Sequence, residues 1–127
     1  MKKMFLLFSH QLTPLQEDDA RENWDVEDFI HLPDNLQKIW SRIDPDEENI
    51  DHLIEPVQYF LEEKGEKDDI VLIQGDFGAS CMMVERTKRL GMIPVYATTV
   101  RVVEEYEKDG QKIKKSIFEH RRFRKYA

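Results

Sequence analysis

An α/β domain with a mainly parallel sheet, helices on both faces and a C-terminal β-hairpin is predicted by three features of this 127-residue chain. Short apolar runs at Met4–Phe8, Ile70–Ile73 and Ile93–Ala97 have the character of strands covered on both faces. Between them, apolar residues recur at helical spacing. Near the end, Asp109-Gly110 separates two strand-like segments, a strong short-range hairpin signal. Residues 1–99 would form the βα core and residues 100–127 the hairpin, one domain at this length.

In chain order, Met4–Phe8 ends at Ser9-His10-Gln11. Thr13-Pro14-Leu15-Gln16 then opens a helix, with Thr13 as N-cap, Pro14 at the first helical position and Gln16 closing a capping box. That helix runs to about Trp24, and Val26–Leu32 is the next strand, stopped by Pro33. Leu36, Ile39, Trp40 and Ile43 define a short helix over Asp34–Ile43. Leu53, Ile54, Val57, Phe60 and Leu61 keep the helical period across Pro56, which either kinks one helix or opens the longer part of it. After Ile70–Ile73, a helix from about Ala79 to Leu90 is capped by Gly91. Ile93–Ala97 ends at Thr98-Thr99, and Val100–Lys108 and Gln111–Phe123 form the hairpin.

Composition excludes several classes. Apolar residues make up 40% and include 7 Phe, 4 Tyr and 2 Trp, too many large side chains for a disordered chain. No apolar run approaches the length of a membrane span, so a cytoplasmic protein is expected. One cysteine allows no intrachain disulfide, and the four histidines have no zinc spacing, so neither metal nor cofactor is expected. Residues 1–110 carry 12 Lys and Arg against 25 Asp and Glu, a net of −13, whereas residues 111–127 carry seven against one, a net of +6. Such a body repels a long duplex, while the terminal segment can hold a small anion.

Ligands of open parallel sheets bind outside the carboxyl ends of the strands. Ser9-His10-Gln11, Gln74-Gly75-Asp76-Phe77-Gly78-Ala79-Ser80 and Thr98-Thr99 occupy those ends. The glycine-rich segment offers backbone amides and a helix N-terminus to an anion, without the Walker or dinucleotide pattern; a turn needed only for packing is the alternative. His10 can transfer a proton near neutral pH, or simply cap a strand end. Ser9 suits a hydrogen bond to phosphate or ribose. Thr98 and Thr99 offer hydroxyls, and Arg101 a planar fork for phosphate. Period two puts Arg122 and Arg124 on one face of the last strand and Arg121 on the face of Phe123. Cys81, flanked by Met82, Met83 and Val84, reads as a buried structural thiol, Trp24 and Trp40 as core, and His31, His52 and His120 as surface or partly buried groups.

Phe5–Thr13, Leu36–Ser41, Val71–Ala79, Ile93–Thr99 and Phe118–Arg124 together resemble the small CRISPR-associated Csx-twenty family, in the same order over nearly the whole chain. The resemblance implies a Rossmann-like (CARF-like) accessory protein of type III CRISPR defence. It would act as a ring nuclease that binds and linearises cyclic oligoadenylate, with cyclic tetra-adenylate the expected ring, as a homodimer with the ring across its twofold axis. In that reaction a ribose 2′-OH attacks the adjacent phosphorus, so the protein needs no nucleophile and no metal of its own. Chemistry then casts His10 in proton transfer, Asp76 in orienting a hydroxyl or the histidine, and Arg122 or Arg101 with the Gly75–Ala79 amides in stabilising charge. Ser9, Gln11, Gln74, Phe77, Gly78, Ser80, Thr98 and Thr99 would contact substrate. Two other classes compete: a module that sequesters the ring without cutting it, and an adaptor that pairs through the hairpin edge.

Overall fold

A computed structural model describes residues 1–127, and its elements alternate as the sequence dictates. They are β1 (Lys2–Leu7), α1 (Pro14–Trp24), β2 (Val26–His31), α2 (Asp34–Ser41), α3 (Asp51–Lys64), β3 (Ile70–Ile73), α4 (Phe77–Arg89), β4 (Ile93–Lys108) and β5 (Gln111–Lys125). The chain is a single α/β domain around one five-stranded sheet, ordered β2-β1-β3-β4-β5. The first four strands are parallel and β5 is antiparallel to β4. The sheet is therefore mixed rather than mainly parallel, because the β4–β5 ladder runs longer than the three parallel ladders combined.

The apolar stretches Met4–Leu7 of β1 and Ile70–Ile73 of β3 do what their composition requires. Alternate residues of β1 and β3 bury into two separate cores. Phe5, Leu7, Val71 and Ile73 pack with Trp40, Ile54, Leu61 and Met83 from the α2–α4 layer. Met4, Leu6, Ile70 and Leu72 pack with Ala20 and Phe123 under α1. The α1 capping box forms as expected: Gln16 N–H donates to Thr13 Oγ1 at 3.2 Å, and Thr13 N–H to Gln16 Oε1 at 2.9 Å. Pro56 lies inside α3, which continues through it.

Two boundaries move. Helix α4 begins at Phe77 rather than near Ala79, because Asp76 caps it by accepting the Ala79 N–H at 3.0 Å. Thr98 and Thr99 do not end a strand: β4 runs through them without a break. Pairing with β5 supplies the ladder bonds that an isolated Ile93–Ala97 would lack there. Beyond that point β4 and β5 pair only with each other, forming a ribbon closed by Asp109 (φ 54°) and Gly110 (φ 76°), the two positive φ values of a type I′ turn.

Candidate functional site

The largest cavity, about 560 Å³, opens at the carboxyl end of β3 on the α4 side. Gln74 and Gly75 form its floor, Phe77, Ser80, Cys81 and Val84 of α4 one wall, and Tyr96 and Tyr126 the other. The wall is built from the end of the chain. Tyr126 donates its hydroxyl to the Ile73 carbonyl at 2.6 Å and lies against Tyr96, ring centroids 4.9 Å apart. Burial, and secondarily the nearby Tyr96, push the Tyr126 phenol above its ordinary value. The Arg124 guanidinium stands over the Tyr96 ring at 5.5 Å and donates to its hydroxyl at 3.0 Å, bringing a cation beside an aromatic cavity.

Gln74 is held on three sides. Its N–H donates to the Leu7 carbonyl, its own carbonyl accepts Trp40 Nε1–H at 3.2 Å, and its Oε1 accepts the Ala97 N–H at 2.7 Å. Only the Nε2 donors remain for a ligand. Gly75 passes so close to Trp40 that a Cβ would stand 2.9 Å from the indole nitrogen. Glycine is required there by contact, not by φ. Phe77, 94% exposed, leaves its ring free at the rim.

The sequence-based set divides. Gln74, Gly75, Phe77 and Ser80 line this cavity. Ala79 is buried in the core, and its amide is consumed by the Asp76 cap, so the expected run of free amides over Gly75–Ala79 is shortened. Asp76 and Gly78 face a different cavity, shared with Asp44, Glu47 and Glu48, where carboxylates repel an anion. Ser9, His10 and Gln11 are exposed beyond β1, and His10 stands edge-on to Phe8, which packs with the α1 layer. Thr98 Oγ1 donates to the Arg122 carbonyl, Thr99 is exposed, and Arg101 donates to Ser116 Oγ on the ribbon. Arg122 borders a cavity under α1. His10, Asp76 and Arg122 are thus not brought together around one cavity in this chain.

Three residues depart from their expected roles. Cys81 is exposed and lines the cavity, because α4 turns Ala79 and Met83 into the core instead. Trp40 is core, but Trp24 is only half-buried. His120 is buried: its Nε2 lies 2.7 Å from Asp19 Oδ2, while its Nδ1 has no partner. A bulge explains this. Thr98 pairs with Arg122 and Thr99 with His120, leaving Arg121 as an extra residue. His120 and Phe123, an odd spacing apart, therefore both turn under α1, with ring centroids 4.7 Å apart. Asp19 also accepts from Asn23 Nδ2 and the Phe123 N–H. Burial alone would raise its carboxyl, but the bonds from Asn23, His120 and Phe123 outweigh it and hold Asp19 below its ordinary value.

Comparison with known proteins adds a family. The model described as "Uncharacterized protein MJ1673 family" matches residues 2–124. "Uncharacterized protein MJ1673" of Methanocaldococcus jannaschii is 50% identical over 126 residues, covering 99% of this chain and 98% of that protein. No solved structure matches the chain significantly.

Proposed function

We propose that this chain, which belongs to the MJ1673 family, is a Rossmann-like cytoplasmic ring nuclease that binds and linearises cyclic oligoadenylate, cyclic tetra-adenylate first among the rings, as a homodimer in type III CRISPR defence. One observation carries the reading: an aromatic cavity with an adjacent cation at the carboxyl end of the central parallel strands. Tyr96, Tyr126 and the exposed Phe77 offer faces for adenine, Gln74 Nε2 offers a polar contact, and Arg124 offers charge to a phosphate.

The chemistry is internal transesterification. The ribose 2′-oxygen forms a bond to the adjacent phosphorus and the P–O5′ bond breaks. The 2′-OH proton is taken up as the 5′-oxygen gains one, leaving a 2′,3′-cyclic phosphate and a 5′-OH. The protein holds the 2′-OH in line and neutralises the phosphoryl charge. Arg124, rather than Arg122, is the cation beside this cavity, and His10 is the proton-transfer group to test. A second reading, sequestration without cleavage, is favoured by the position of His10 outside the cavity lining.

Incubation with labelled cyclic tetra-adenylate in EDTA, with products resolved by size and end group, separates them. Linear fragments ending in 2′,3′-cyclic phosphate are expected. Intact ring that co-elutes with the protein leaves the sequestering module, and neither binding nor cleavage removes both.

A further inference from the structure

A second, independent feature lies on the other side of the sheet. Under α1, a cavity of about 310 Å³ is lined by Asp19, Asn23, Trp24, Arg121, Arg122 and Phe123. It continues into another of about 390 Å³ that shares Asn23 and Trp24 and adds Lys2, Arg21 and Lys125, with Glu22 and Asp25 as its carboxylates. Arg122 is tied down only by its main chain, bonded to Thr98 Oγ1. Arg121 is the bulge residue, with no cross-strand partner. Neither guanidinium has a carboxylate partner, whereas Asp19 is already engaged by His120, Asn23 and the Phe123 N–H, and Asp25 by the chain's N-terminal amine. On a protein of net charge −7, this is a local surplus of positive charge beside a half-buried indole.

We infer that this groove binds a short single-stranded oligonucleotide, with Arg121 and Arg122 holding neighbouring phosphates and Trp24 contacting a base. Guanidinium forks suit phosphate oxygens, and basic grooves with an aromatic side chain take single strands with little sequence preference. The strand must be short, because the acidic body around the groove repels further phosphates. The Asp19–His120 bond pins β5 to α1 beside the bulge, which holds Arg121 and Arg122 at the edge of the groove. None of this depends on the ring reading, which uses other residues on the opposite face.

The test titrates fluorescein-labelled linear tetra-adenylate, followed by anisotropy and checked by unlabelled competitor. The proteins are wild type, Arg121→Gln/Arg122→Gln, and Ser80→Trp, which fills the other cavity; circular dichroism confirms that each is folded. The expected result is a loss of about tenfold or more in affinity for the arginine variant, and less than about twofold for Ser80→Trp. Wild-type binding should fall with salt at a log–log slope near −1.4, about two neutralised phosphates on a single strand, and flatten in the arginine variant. Absence of wild-type binding at low salt, an equal loss in both variants, or a loss confined to Ser80→Trp would each overturn the inference. Val84→Trp replaces Ser80→Trp if the latter does not fold. Failure of ring binding alone leaves these outcomes unchanged.

Discussion

His120 and Asp19, 101 residues apart in sequence, are joined by a 2.7 Å bond between Nε2 and Oδ2. Both side chains are nearly buried, and the bond ties the last strand to the first helix. His120→Ala leaves Asp19 without one of its three partners in a desolvated position. A loss of about 3 kcal/mol in unfolding free energy is expected, measured by urea denaturation. A change below about 0.5 kcal/mol would mean that α1 docks without this tie.

The same carboxylate sets a pH dependence. Its folded pKa is depressed, so its contribution is fully present above the ordinary carboxyl pKa of about 4 and is lost as pH falls through the folded value. Urea denaturation of wild type and Asp19→Asn should give a stability difference that narrows as pH falls below about 4. A difference that widens on acidification would show the sign to be wrong.

Asp76 is the N-cap of α4. Replacing it with Ala should cost about 1 kcal/mol, and replacing it with Ser much less. If ring cleavage follows the same order as stability, the residue acts by capping. Cleavage abolished in Asp76→Ser at full stability would instead return Asp76 to the chemistry.

Gly75→Ala places a methyl group 2.9 Å from Trp40 Nε1, with backbone on one side and a fully packed indole on the other. About 1–3 kcal/mol of destabilisation is expected, with a shifted Trp fluorescence maximum as the ring gives way. An unshifted spectrum at wild-type stability would show the contact to be slack.

Tyr126→Phe removes the 2.6 Å bond to Ile73 and should cost about 1 kcal/mol while keeping the cavity wall. Tyr126→Ala removes the wall as well, and should weaken cyclic tetra-adenylate binding where Tyr126→Phe does not. Calorimetry on both variants measures the difference, and equal affinities would detach Tyr126 from ligand binding.

The sequence alone determined what is local. The apolar runs of β1 and β3, the Thr13–Gln16 capping box and the Asp109-Gly110 turn each contain their own cause, in burial on both faces, a side chain within reach of an orphan amide, and positive φ. Gln74, Gly75, Phe77 and Ser80 were legible as neighbours at one end of the sheet, where they line the cavity, because they follow directly from a strand end. Tertiary structure decided the rest. One extra residue in β5 overrode period two and buried His120, and no count along the strand reveals a bulge set by a partner strand. Tyr96 and Tyr126 became a wall, with Arg124 beside it, only because the antiparallel β5 carries the chain end back to the mouth of β3. His10, Asp76 and Arg122 all belong to segments near the carboxyl end of the sheet, yet they face different surroundings. Chain order gives the end of the sheet a residue occupies, whereas the face it takes depends on pairing and capping, which are settled by residues far away in sequence.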